Sequence, residues 1–199
     1  MENRLGIKDA IQLAHEEERI SKRAALSLYH DGTLAALTPG TFHALSEIHK
    51  HLFGDIYDFA GEVRTVNLSK GGFRFASALY LGSALRAIER MPQRTFDEII
   101  EKYVEMNVAH PFREGNGRAG RIWLDHMLRA SLERTVDWAL IDRDDYLLAM
   151  QRSPVRDTEI KHLIEGALSP NLYDVSLLAR GIDASYAYEG YTAYRTQDL

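Results

Sequence analysis

The chain has 199 residues, 45% hydrophobic and 27% charged, a formal charge of −5 and no cysteine. Without cysteine there is no disulfide, thiolate zinc site or cysteine nucleophile. The acidic balance argues against a broad nucleic-acid-binding face but leaves room for a local cationic pocket. The length suits one domain, 1–199, with its own core. No apolar run approaches the ~18 residues that a membrane span needs. Met1-Glu2-Asn3-Arg4 does not lead from a basic segment into an apolar run, so no secretory signal is evident and a cytoplasmic location is expected.

In chain order, Lys8 to His30 reads as a helix, with Ile11, Ala14, Ala25 and Leu28 apolar at helical spacing and Asp31-Gly32 as a stop. Glu16-Glu17-Glu18-Arg19 reads as its solvated face. Thr38-Pro39 opens the next helix as a cap followed by a first-turn proline. Phe42, Leu45, His49 and Leu52 share its inner face, and Gly54 closes it. From Val63 the residues alternate, break at Lys70-Gly71-Gly72 and alternate again through Phe73 and Phe75. This pattern predicts a β-hairpin at about 63–76 on the surface of a helical body, with a plain connector as the alternative.

A helix is expected from about Ser77 to Arg90, ended by Met91-Pro92. Thr95-Phe96-Asp97-Glu98 is a capping-box sequence. The apolar stripe from Phe96 to Val108 predicts a central, buried helix that ends at His110, the residue before a proline. Further helices are expected after Gly117, at about 142–152 and at about 157–168. One or two short helices follow Leu172, with Gly181 and Gly190 as breaks.

The chemistry concentrates in His110-Pro111-Phe112-Arg113-Glu114-Gly115-Asn116-Gly117-Arg118-Ala119-Gly120-Arg121. Gly115-Asn116-Gly117 permits a tight turn with exposed amides, and the helix that starts there offers free N–H groups and a favourable dipole to an anion. Arg118 and Arg121, at i and i+3, share one face of its first turn. Glu114 would repel a bare anion but suits a Mg²⁺ bridging it to phosphates. His110 has the near-neutral pKa of a general base acting on an incoming hydroxyl. Each feature alone has an ordinary structural reading; the joint pattern suggests Mg²⁺-nucleotide binding with transfer to a hydroxyl.

The stretch resembles the Fic family signature, H-P-F-x-[D/E]-G-N-G-R-x-x-R, at every specified position. Tyr57 to Arg64 and Lys70 to Phe75 resemble the strand and flap segments that precede it, so the resemblance covers roughly residue 40 to the end. It implies a mainly α Fic fold: about eight helices around a central helix-loop-helix with a small β-hairpin flap, as a single Fic domain. It further implies transfer of AMP from ATP to a Tyr, Thr or Ser hydroxyl of a target protein, with release of pyrophosphate. On that pattern His110 takes the proton and Glu114 holds Mg²⁺. Asn116 binds the reacting phosphate together with the amides of Gly115 and Gly117, while Arg118 and Arg121 bind the outer phosphates. Phe112 anchors the loop in the core. The flap, Lys70, Gly71, Gly72 and Phe73, registers a target segment by main-chain pairing. Doc-type relatives transfer the γ-phosphate and carry a lysine where this chain has Gly117, which favours AMP transfer here. A Fic-type phosphotransferase, another nucleotidyl transfer and a silent regulatory module remain the alternatives.

Ser185-Tyr186-Ala187-Tyr188-Glu189-Gly190 resembles the Fic inhibitory sequence [S/T]-x-x-x-E-[G/N], within a segment of about 183–190. Ser185 and Glu189, at i and i+4, would share a helix face, and Glu189 would form a bidentate ion pair with Arg121 at the γ-phosphate's place. Tyr186, Tyr188 and Tyr191 become candidate self-modification sites. The resemblance also implies a homo-oligomer, and by analogy a target among enzymes of DNA topology, with no direct nucleic-acid or membrane partner. His15, His30, His43, His49, His51, His126 and His162 show no ligand spacing, so no metal beyond Mg²⁺ is expected.

Overall fold

The computed structural model describes residues 1–70 and 73–199, the side chain of Lys70 aside. Among these residues nine α-helices dominate, joined by four two-residue strands. The helix expected at the start is α1, Ala10–His30, opened by Asp9, whose side chain accepts from the Gln12 amide. Its buried stripe is Leu13, Glu17, Glu18, Ser21, Lys22, Ala25 and Leu28, while Ile11 is 70% exposed. Glu17 and Glu18 are therefore not solvated. They point inward because buried cations and amides from distant parts of the chain meet them there.

After the short α2, Thr33–Ala36, comes α3, Phe42–Phe53. Gly40 holds a φ of +76°, so Thr38-Pro39 does not open α3. Thr41 does, accepting from the Ala44 amide at 3.0 Å. The hairpin is real but small: β1, Ser69–Lys70, pairs antiparallel with β2, Phe73–Arg74. Gly71 and Gly72, assigned to the flap, lie outside the described residues. A 3₁₀ turn, Ala78–Tyr80, precedes α4, Leu81–Glu89.

The capping box forms as expected and opens α5, Phe96–Ala109. One face of α5 is buried; Glu101 and Glu105 stay exposed. The helix enclosed on all sides is α6, Asn116–Leu132, buried without a break from Arg118 to Leu128. It packs against α3 and α5, and its Trp123 donates to the Thr41 carbonyl at 3.0 Å.

Beyond it lie α7, Arg143–Arg152, and α8, Thr158–Gly166. A second antiparallel pair, β3, Thr135–Val136, with β4, Leu168–Ser169, had no signal in the sequence. The tail holds one long helix, α9, Val175–Ala187. Gly181 lies inside α9 rather than breaking it: a Cβ there would be 3.7 Å from the Trp138 ring, so the glycine lets the helix approach. Gly190, at φ +90°, does end the segment. Among the described residues no helix is long and apolar enough to cross a membrane.

Candidate active site

His110 leaves α5 in the left-handed region, φ 49° and ψ 64°, rather than in the extended form expected before proline. A non-glycine residue held there stores about 1–3 kcal/mol, so the surroundings must fix it. Arg64 does so. Its Nε donates to the His110 carbonyl at 2.7 Å and its Nη2 to Ala109 at 3.0 Å and Ala76 at 2.6 Å. Its Nη1 reaches Val66 at 2.6 Å. A buried guanidinium thus satisfies the carbonyl end of α5 and ties both limbs of the hairpin to it. The Ala76 amide completes the join by donating to Val108 at 3.0 Å. Phe75 then stacks on the His110 ring, centroids 3.7 Å apart.

Phe112 is fully buried, with its centroid 3.9 Å from His49 and 6.2 Å from Phe42. Burying such a ring contributes roughly 1.5–3 kcal/mol, which anchors the loop as expected. Both polar atoms of the Asn116 side chain are committed to Phe112: Oδ1 accepts from its amide and Nδ2 donates to its carbonyl, each at 2.8 Å. Asn116 thus closes the loop, and the Gly115 amide donates to Glu114 Oε1 at 3.1 Å. Gly115 has φ +77°, and a Cβ there would collide with the Phe53 ring. His49 accepts from the Gly61 amide at Nδ1, 2.9 Å, which leaves Nε2–H to donate to the Glu114 carbonyl at 2.8 Å. Burial lowers the His49 pKa to about 4, fixing the neutral form that this relay needs.

The arginines are not open to solvent. Arg118 is 1% exposed; its Nη1 meets Glu17 Oε1 at 2.6 Å and its Nη2 meets Glu114 Oε1 at 3.2 Å. Phe53 and Tyr191 flank its guanidinium at 4.7 and 4.6 Å. Arg121 gives Nε to the Ser185 hydroxyl and Nη2 to the Ser185 carbonyl, both at 2.7 Å, and meets Glu189 Oε1 at 3.2 Å. Its fork is thus shared between Ser185 and Glu189. Burial alone would lower both arginine pKa values, but Glu17 beside Arg118, and Tyr146 and Glu189 beside Arg121, more than reverse this. Glu189 itself lies in the turn just after α9, not on the helix as its spacing from Ser185 suggested. A Cβ added at Gly117 would collide with Glu189 Oε1 and come within 3.1 Å of the Arg121 fork. A carboxylate therefore occupies the helix N-terminus of α6.

The segment carrying Glu189 is clasped to α1. Glu18 accepts from the Ala193 and Tyr194 amides at 3.0 and 3.1 Å. Lys22 meets Glu18 at 3.0 Å, Asp183 at 2.9 Å and the Tyr194 carbonyl at 2.6 Å. Asp183 in turn accepts from the Thr196 amide and hydroxyl at 2.9 and 2.6 Å. The candidate modification tyrosines lie inside this packing. Tyr186 is 1% and Tyr188 3% exposed, and the Tyr191 hydroxyl donates to Glu17 at 2.9 Å.

Among the described residues no three potential metal ligands cluster. Glu114 alone, with its side chain 44% exposed, fits a Mg²⁺ that takes most of its ligands from phosphates and water. Beside His110 opens a cleft of about 270 Å³ lined by Phe73, Phe75, Asn107, Leu147, Met150 and Gln151. Leu147, Met150 and Gln151 come from α7 and had no motif to mark them. Glu17 did carry a signal: Leu13, Glu17, Ser21 and Ala25 follow each other at four-residue spacing, so it shares the apolar stripe.

A histidine at the end of α5, a glycine-flanked turn and two buried arginines thus stand together at the start of α6. The model of the Fic/DOC family matches residues 39–128. A probable protein adenylyltransferase Fic of Salmonella typhimurium is 33% identical over 138 residues, 64% of this chain and 66% of that protein. A probable protein adenylyltransferase y4lH of Sinorhizobium fredii is 30% identical over 166 residues, 77% and 82% of the two chains. The match to protein adenylyltransferase VbhT of Bartonella schoenbuchensis, 31% identical over 73% of this chain, takes in only 32% of that longer protein. BepC of Bartonella tribocorum, solved with bound AMPPNP, superposes with a TM-score of 0.72 at 22% identity, covering 85% of this chain and 92% of that one. The last is a likeness of fold. The chain belongs to the Fic/DOC family.

Proposed function

We propose that the protein is a protein adenylyltransferase, transferring AMP from Mg-ATP to a Tyr, Thr or Ser hydroxyl of a target protein. His110 takes the hydroxyl proton as that oxygen bonds to the α-phosphorus, and the bond to the bridging oxygen breaks to release pyrophosphate. The amides of the Gly115–Gly117 turn hold the charge that develops on the phosphoryl oxygens. Glu114 would hold the Mg²⁺, which supplies charge neutralisation to the phosphates. The cleft between Phe75 and α7 receives the nucleoside, because its apolar walls suit a base and the amides of Asn107 and Gln151 suit its polar edges. The hairpin beside it is suited to align an extended target segment.

The observation that carries this reading is the order of parts: nucleoside cleft, His110, amide turn, then Arg121. A base at the α-phosphate end of such a row activates the incoming hydroxyl there rather than at the far phosphate. In the closed form Ser185 and Glu189 hold Arg121, so Glu189 acts as inhibitor by occupying the γ-phosphate's place. His110→Ala is expected to abolish protein labelling from α-labelled ATP while nucleotide affinity, read by calorimetry, changes little. Labelling that survives the substitution would remove His110 as the base.

A further inference from the structure

We propose that Glu17 is a positioning residue for Glu114, acting through Arg118. The proposal rests on the reading of Glu114 as the carboxylate that meets the Mg²⁺ of Mg-ATP. Glu17 and Arg118 are 3% and 1% exposed, far apart in sequence, and joined at 2.6 Å. Glu17 cannot swing away, because Tyr191 donates to its Oε1 at 2.9 Å and Tyr57 donates to its Oε2. The guanidinium is equally confined, lying against the rings of Phe53 and Tyr191.

The two partners of Arg118 are unequal. The contact with Glu17 is short, whereas that with Glu114 is 3.2 Å. Glu17 therefore answers most of the cation's charge, and Glu114 is steadied by one arm without being neutralised. With Glu17 uncharged, Glu114 becomes the nearest anion to a buried guanidinium. The fork then closes on it as a bidentate pair and withdraws that carboxylate from a metal ion. Tyr191 lies just past Glu189, so the inhibitory segment supplies part of the frame that holds Glu17.

The test is calorimetric titration of ATP into the full chain carrying Glu189→Gly, with and without Mg²⁺. Adding Glu17→Gln is expected to cut the gain in ATP affinity that Mg²⁺ confers by about tenfold, as for groups that orient a metal ligand. ATP affinity without metal should stay the same, and Glu17→Asp should restore part of the gain. A purely structural role would move both affinities together, and that result, or an unchanged Mg²⁺ gain, overturns the proposal. Should Glu17→Gln fail to fold, Tyr191→Phe keeps the ion pair but removes one donor. It is expected to lower the gain in the same direction by a smaller factor, and no change there also overturns the proposal. Failure of Glu189→Gly alone to bind ATP would instead sink the nucleotide reading, and this proposal with it.

Discussion

At the scale of single residues, the site is held by groups whose partners are remote in the chain. His110 keeps its left-handed backbone because Arg64, 46 positions earlier, donates to its carbonyl. Arg118 meets Glu17 across 101 positions. His110, Glu114 and Arg121 could be singled out from the sequence because their chemistry is local: one turn, one helix start, one spacing. His49 and Arg64 could not, since only the fold brings them to the loop; for Glu17 the four-residue spacing marks burial on α1 but not the partner it meets there. His49 yields a prediction with a definite sign. Its pKa of about 4 lies below the ordinary 6.5, so the unfolded chain takes up a proton that the folded chain refuses. The stability that this group contributes is present above about pH 6.5 and is lost as pH falls towards 4, about 3 kcal/mol in all. Urea unfolding of wild type and His49→Gln at pH 7 and pH 4.5 should show the wild type's advantage shrinking by roughly 2–3 kcal/mol at the lower pH. An advantage independent of pH would mean that His49 is not held neutral.

At the scale of elements, the helices that the sequence revealed best were those with local punctuation. The capping box opened α5 and the proline after His110 closed it. What was misread depended on tertiary contact. Gly181 looks like a break until Trp138 lies against it. Thr38-Pro39 looks like a helix start until Gly40 takes a positive φ. The paired strands β3 and β4 are too short to leave a pattern. The segment that carries Glu189 combines both kinds of evidence. Its motif is local, but its grip comes from Glu18, Lys22 and Asp183, which join α1, α9 and the tail. Asp183, with its side chain 33% exposed, is the member that can be changed with least damage to the core. Asp183→Asn is expected to speed hydrogen exchange at the Ala193–Thr196 amides and to raise labelling above wild type, though less than Glu189→Gly does. Faster exchange without a rise in labelling would separate the tail from inhibition.

At the scale of the whole molecule, α6 is the axis on which the opposing parts meet. Its N-terminal turns carry Arg118 and Arg121, and the turn that follows α9 brings the Glu189 carboxylate to Arg121. The feature that would suit the site to phosphate, a helix N-terminus with buried guanidiniums, also lets a carboxylate of the protein meet Arg121. Inhibition of this kind needs little energy: a bias of ~2.8 kcal/mol holds about a hundredfold of activity in check. The Arg121–Glu189 contact was legible in the sequence, because the signature loop and the tail motif each name one partner of it. The clasp that holds this segment was not, since it depends on how Glu18 and Lys22 of α1 meet Asp183 and the tail. The central claim is that the protein transfers AMP and is shut by its own Glu189. It is tested most directly by incubating wild type and Glu189→Gly with a cell lysate and ATP labelled at the α- or the γ-phosphate. The prediction is that α-label enters protein, about a hundredfold more with Glu189→Gly by the bias above, and that γ-label does not. Transfer of γ-label, or equal α-labelling by the two proteins, would contradict it.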